Sequence, residues 1–355
     1  QAWNTYPTYQ AYETLMVHFQ QQYPSLCRLH VLGTLPSGRR ILALRITDHP
    51  DSLEAEPEFL YTSSMHGDEL TGYILTLRLA DYLLDNYDSL PEVTRLVDSV
   101  DIWINPLANP DGTYRFGNQT VYGATRYNAN YVDINRNFPD AEDGPHPDGN
   151  AWQPETQIFM NFAAAHHFSM SANIHGGAEV CNYPWDTWSR FAADNAWWVY
   201  VCNQYADTAQ SFSPAGYLDD FGTGITNGYA WYSISGGRQD YMNFFHQCRE
   251  FTLEISNTKL PLASTLPNYW NYNYRSLLNY MGQSLNGLHG MVTDSLTGEA
   301  LRARVDIIGH DLDSSHVYAH LPHGDYFRYL GTGIYNITFS AAGYIPRTIS
   351  GIDRK

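Results

Sequence analysis

The residues that could do chemistry lie far apart in the chain. His66-Gly67-Asp68-Glu69 sets an imidazole and a carboxylate three positions apart, between a predicted strand and a predicted helix. His175 closes the run Ser-Ala-Asn-Ile-His-Gly-Gly, again at the end of a predicted strand. Such strand ends are where open α/β sheets place their ligands. Two imidazoles and one carboxylate are among the donor sets that hold a catalytic zinc ion and leave one position for water. Either piece alone reads as well as structure, because His-x-x-Glu arises by chance and in helix capping, and a lone histidine often packs in a core or loop. Taken together, at two strand ends with glycines beside them, His66, Glu69 and His175 stand evenly between a metal site and structure. His-Glu-x-x-His is absent, so a zinc site carried on one helix is excluded.

Other residues sit where a hydrolase would need them. Asn135-Arg136-Asn137 falls in a long loop, with Arg126 nine residues before Asn135. Arginine is the donor best matched to a carboxylate, which it grips with two parallel hydrogen bonds. The plainer reading is a surface loop arginine paired with Asp133 or Asp140. Glu254 interrupts the apolar alternation Phe251-Leu253-Ile255, and its plainer reading is a charge on the solvent face of a strand. Tyr232 is one of 28 tyrosines and carries no weight by itself.

Elements that must position these groups follow from periodicity and punctuation. Apolar residues at helical spacing predict helices over 8–22, 70–87, 155–168, 189–209 and 269–281. Strands are predicted over 28–32, 41–47, 59–64, 100–105, 169–175 and 249–256. Strands alternating with long helices indicate an α/β fold, a mixed central sheet with helices on both faces. The stretch 105–149 is long and turn-rich, and loops of that length inside a globular chain are usually functional. After Gly282 the texture changes to short β-runs over 288–293, 303–308, 317–319, 326–329 and 335–340. This predicts a small all-β sandwich, and divides the chain into a unit over 1–284 and another over 285–355.

Composition sets outer limits. A chain of 355 residues suits one large domain and a small companion. With 20 Lys+Arg against 37 Asp+Glu its net charge is −17, which argues against binding nucleic acid or an anionic membrane and mildly favours cationic substrates. Aromatics at 15% argue for a packed core rather than disorder. No apolar run is long enough for a membrane span. The chain starts at Gln1, which reads as a processed product of a secreted, extracellular or periplasmic protein. Cys27, Cys181, Cys202 and Cys248 lack the spacing of a cysteine zinc cluster, and a Cys181–Cys202 bridge is as open as two buried thiols.

Eight motifs then stand in order between about residue 60 and residue 256: MHGDE, NPDG, VDINRNFPD, SANIHGG, YPWD, GITNGYAWY, GGRQDY and FTLEIS. In these the chain resembles the zinc carboxypeptidases of the regulatory branch, the carboxypeptidase N, E, M and D group. The β-rich tail resembles the transthyretin-like domain of that branch. The resemblance implies one zinc ion per chain, held by His66, Glu69 and His175, and peptide or protein C-termini as substrates. It makes Glu254 the general base and Arg126 the group that polarises the scissile carbonyl. Asn135 and Arg136 match the pair that grips the free C-terminal carboxylate, and Tyr232 the mobile tyrosine that closes over the last residue. Asp186 and Gln239 match residues lining the pocket for the last side chain, so a C-terminal Lys or Arg is expected. Arg238 departs from the apolar residue usual there. Facing the pocket, it would pair with Asp186 and weaken that preference; facing away, it would change little.

The expected protein is therefore a monomeric exopeptidase, with the small β domain in a packing or folding role. The same chemistry on peptidoglycan stem peptides and a non-catalytic peptide-binding module are the competing readings. A serine hydrolase is disfavoured, since G-x-S-x-G is absent.

Overall fold

The structure is a computed structural model that describes residues 3–355. Its large unit is built on strands β1 (Cys27–Thr34), β2 (Arg40–Ile46), β3 (Glu58–Ser63), β4 (Asp101–Asn105), β5 (Phe168–His175), β6 (Glu179–Tyr183), β7 (Ile225–Asn227) and β8 (Arg249–Ile255). They form one sheet in the order β1-β2-β4-β3-β5-β8-β6-β7. The central four, β4, β3, β5 and β8, run parallel, while β2 and β6 flank them antiparallel. The sheet is mixed, as predicted. Parallel strands put their C-terminal ends at one edge, and there His175 lies in register with Glu254.

Helices cover both faces. These are α1 (Tyr9–Gln22), α2 (Thr71–Asn86), α3 (Pro91–Val97), α4 (Pro110–Thr113), α5 (Pro154–Ala165), α6 (Asn195–Ser211), α7 (Gly228–Trp231), α8 (Arg238–His246) and α9 (Leu266–Gly282). Thr8 caps α1 by accepting the Ala11 N–H at 3.1 Å, and proline opens α3, α4 and α5, where its missing N–H costs nothing. Side-chain alternation on β3 sends Phe59 and Tyr61 into the core under α1, α2, α6 and α9, and Leu60 into the smaller core under α5 and α8.

Two predicted helices change at their ends. Helix α5 stops at Ala165 because His166 is already extended and leads into β5. Helix α6 starts at Asn195 rather than 189, and Asp194 just ahead of it makes no side-chain cap, its carboxylate being taken by Arg249, Arg328 and His310. Strands β6 and β7, helices α3, α4, α7 and α8, and the last strand of the tail, over Arg347–Arg354, were not predicted. Helix α8 shows no apolar stripe in sequence because its buried residues include Arg238, Gln239, Asp240 and Asn243. Cys181 and Cys202 are buried neighbours with free thiols, and burial pushes the Cys181 thiol well up.

Beyond α9 the chain forms β9 (Leu288–Met291), β10 (Arg304–Ile307), β11 (Val317–Tyr318), β12 (Asp325–Arg328), β13 (Gly333–Ser340) and β14 (Arg347–Arg354). An antiparallel sheet β11-β10-β13-β14 and a two-stranded sheet β12-β9 share a core of Val305, Ile307, Tyr326 and Ile337. These small sheets join the large unit through buried charge. Arg328 donates to Asp194 Oδ2 at 2.9 Å and also reaches Asp311, while Arg249 on β8 pairs with Asp194 at 2.8 Å. Tyr329 adds hydrogen bonds to Ser169 at 2.9 Å and to the Ser284 carbonyl at 3.1 Å.

Burial alone would raise the Asp194 pKa, but Arg328 and Arg249 hold it well below the ordinary carboxylate range. Its stabilising effect is therefore present above the unfolded-state value and lost as pH falls through the lower folded-state one. Asp194→Ala leaves buried guanidinium groups without their carboxylate and should cost about 3–5 kcal/mol. Urea unfolding checks this; a loss within experimental error would show that the network does not hold the two parts together.

Candidate active site

The MHGDE segment leaves β3 and turns into α2 in a tight loop. Gly67 is required there, because a Cβ would lie 2.5–2.7 Å from the backbone of Gly112 and Thr113. The turn brings His66 and Glu69 beside His175, the last residue of β5. All three are buried, and their donor atoms lie within 4.8 Å of one another. His66 Nδ1 is 3.0 Å from Glu69 Oε1, His175 Nδ1 is 2.8 Å from Glu69 Oε2, and the two Nδ1 atoms are 3.1 Å apart. Two ring nitrogens and a carboxylate aimed at one point match the His₂Glu set of a catalytic zinc site. His66 also has the outer partner typical of a metal-bound histidine, with Asp133 Oδ1 3.0 Å from its Nε2. The residues fit zinc.

Their protonation follows from burial against charge. Burial alone lowers the His66 pKa, but the Glu69 and Asp133 carboxylates outweigh it and hold it above the ordinary value. Burial takes His175 down to about 4. Burial would raise Glu69, yet His66 and His175 hold it well below the usual range. Glu254 is buried on β8 rather than facing solvent, and among the described residues its Oε2 has no hydrogen-bond partner. Burial, then repulsion from Glu69, pushes it up to about 8. A dication at this point would favour its ionised form.

Asp133 organises the next layer; the sequence offered it only as an ion-pair partner for a loop arginine, and Arg126 takes that place. Its Oδ1 accepts the Asn135 N–H at 3.0 Å as well as facing His66, and its Oδ2 accepts Arg126 Nε at 2.8 Å. Arg126 is thereby fixed with Nη1 3.8 Å from Glu69 Oε1. Arg136 pairs with neither Asp133 nor Asp140. It donates to the Asn135 carbonyl at 2.8 Å, and among the described residues it forms no ion pair. A guanidinium left without a carboxylate beside the metal-ligand cluster is suited to an incoming one. Lys259 also escaped the sequence reading; its Nζ lies 3.0 Å from Glu69 Oε1, a contact between residues 190 positions apart that no local motif announces.

Asp186 and Gln239 come together, with Gln239 Nε2 donating to Asp186 Oδ1 at 3.1 Å and Asn182 Nδ2 doing the same at 3.1 Å. Gly228 gives this carboxylate room, for a Cβ there would stand 1.8 Å from Asp186 Oδ1. Burial raises the Asp186 pKa to about 6. Arg238 does not face Asp186. Its fully buried guanidinium turns to Glu250, at 2.9 and 2.7 Å, and lies 5.6 Å from the centre of the Phe159 ring. Tyr232, at the end of α7, is 49% exposed and lies within electrostatic reach of Arg136, Glu254, Asp186 and Arg126. The geometry thus gathers His66, Glu69, His175, Glu254, Arg126, Asn135, Arg136, Tyr232, Asp186 and Gln239 at one end of the sheet.

Comparisons with known proteins identify the family of the chain. A family model described as zinc carboxypeptidase, peptidase M14, matches residues 12–276. Carboxypeptidase D of Mus musculus is 37% identical over 351 residues, covering 95% of this chain and 25% of that protein. Carboxypeptidase SOL1 of Arabidopsis thaliana is 36% identical over 97% of this chain and 69% of its own length. The carboxypeptidase N catalytic chain of Homo sapiens is 34% identical over 93% of this chain and 79% of its own length. The chain thus spans about a quarter of the length of the carboxypeptidase D relatives. Among solved structures, carboxypeptidase A from Helicoverpa armigera superposes with a TM-score of 0.68 at 18% identity, over 79% of this chain and 74% of that one, a likeness of fold. From the family match and from relatives aligned along nearly its whole length, this chain belongs to the zinc carboxypeptidase family, peptidase M14.

Proposed function

We propose that this chain removes single residues from the C-termini of peptides or proteins by metal-assisted hydrolysis, preferring C-terminal Lys and Arg. The observation that carries the reading is the convergence of His66, Glu69 and His175 within 4.8 Å, with Glu254 in register beside His175. Zinc, when held by those three residues, supplies Lewis acidity that acidifies water and polarises a carbonyl. Glu254 takes a proton from the attacking water and later delivers one to the leaving amine. Arg126, fixed by Asp133, donates to the carbonyl oxygen as negative charge develops there. Asn135 and Arg136 receive the free carboxylate, which selects a chain end over an internal peptide bond. Tyr232, half exposed on its loop, closes over the bound residue and excludes water.

The side-chain pocket supplies the finer preference. Asp186 is a buried carboxylate whose Oδ1 is occupied by two amides, and Arg238 is engaged with Glu250 instead of neutralising it. A cationic side chain pairs with that carboxylate, and a neutral one gains no such partner. We extend the reading to a division of the chain after residue 284, with the tail as a transthyretin-like domain that supports β8 through Arg249.

Glu254→Gln should keep one zinc per chain, measured by metal analysis, while kcat falls by about 10²–10⁴. Loss of the metal in that variant would make Glu254 a ligand rather than the base. Asp186→Asn should abolish the advantage of C-terminal Arg over Leu in a scan of peptides differing only at that residue. In the wild type the same advantage should decline as pH falls below about 6, because the carboxyl then takes up a proton and no longer attracts a cation. A ratio that stays flat through that range would remove Asp186 from the pocket.

A further inference from the structure

Three carboxylates are buried around the side-chain pocket: Asp186, Asp240 and Asp140. Asp240, third residue of α8, accepts the backbone N–H of Asp186 at 3.1 Å and 2.9 Å through its two oxygens, and that of Thr187 at 2.9 Å. Asp140 reaches the same segment from the other side, accepting the Thr187 hydroxyl at 3.2 Å and the Gly236 N–H at 3.1 Å. Adjacent residues of α8 therefore clamp Asp186 twice, Gln239 on its side chain and Asp240 on its backbone.

The charges facing Asp186 leave it short of cations. Asp240 comes from α8, Asp140 from the long loop, Tyr232 from the end of α7, and Arg136 is the guanidinium within reach. Arg238, next in α8, is turned toward Glu250. Asp240 accepts the backbone N–H of Asp186, so the two buried carboxylates lie close enough that both do not ionise cheaply, and an empty pocket retains one proton on the pair. Two backbone N–H donors and the start of α8 favour charge on Asp240, yet burial and the mutual repulsion raise the proton affinity of both.

We propose that Asp240 is a positioning residue of the specificity pocket: it fixes the Asp186 backbone, and with Asp186 forms a pair of nearby carboxylates that gives up one proton to solvent when a guanidinium or ammonium side chain enters. This rests on the reading of Asp186 as the group that meets the substrate side chain. Entry of the cation replaces the proton, so the pocket stays near one net negative charge before binding and gains no uncompensated charge after it. A neutral side chain leaves the proton in place. Selection for basic residues is then coupled to proton release.

The wild-type protein tests this directly. Competitive inhibition constants for L-arginine and its uncharged isostere L-citrulline should be measured from about pH 5 to about pH 8. Below the acid limb arginine should weaken by up to about tenfold per pH unit relative to citrulline, the slope for one proton released. Parallel profiles for the two would overturn the proposal. Asp240→Asn, with folding checked by cooperative thermal unfolding, should move the acid limb of arginine selection down by about one pH unit, a shift that a purely structural role would not produce. An unmoved limb would also overturn it, and where that variant does not fold, Asp240→Ser, which also removes the charge, should move the limb the same way. If Asp186→Asn keeps its preference for arginine, the pocket reading itself fails; if it loses the preference while Asp240→Asn keeps the wild-type limb, only the role of Asp240 falls.

Discussion

The buried carboxylate of Glu69 is the interaction on which the site depends. Removing a carboxylate from water is expensive, and here His66, His175 and Lys259 all approach it within about 3 Å, with Arg126 slightly farther. None of these partners is a sequence neighbour except His66. They can meet Glu69 only if the ends of β3, β5 and β8 are level, which parallel pairing provides, and if the MHGDE loop packs flat on residues 110–113, which Gly67 permits. The fold is thus the means by which the cost of burying one carboxylate is offset.

Charge in the site is layered outward from that point. Asp133 backs His66 and holds Arg126, so one carboxylate orients a metal ligand and an oxyanion donor at once. Arg136 stands apart without a carboxylate, and Asp186 stands across from it with its own charge only partly met. A cationic side chain and a free C-terminal carboxylate would complete both. The net charge of −17 is a weak witness to substrate by comparison, since most of it is spread over the surface. What matters is where two or three carboxylates are buried.

The strand β8 links this site to the small sheets. Glu254 lies near one end of it and Arg249 at the other, where Arg249 meets Asp194 and the Ser315 carbonyl. The same Asp194 receives Arg328 from β12, so the small sheets fasten to the large unit through a strand that also carries a residue of the site. Buried charged groups of this kind hold one arrangement rather than many, because every alternative leaves a charge without its partner.

Much of this was legible in sequence, because the period of apolar residues depends on local geometry. The central strands, the helices α1, α2 and α9, the onset of the small sheets and the candidate donors His66, Glu69 and His175 could all be read that way. Residues whose role rests on contacts distant in sequence could not. Helix α8 hides because its buried face is polar, Lys259 because its partner lies 190 positions away, and Asp133 because an exposed ion pair and an organising carboxylate look alike in one dimension. The direction of Arg238 was open for the same reason: it could face Asp186 or turn away, and only the packing of α8 on β8 aims the guanidinium at Glu250. Sequence alone determined which groups the protein has and the local elements that carry them. The tertiary structure decided which of those groups share a low-dielectric space, and it is there that partnership sets each charge.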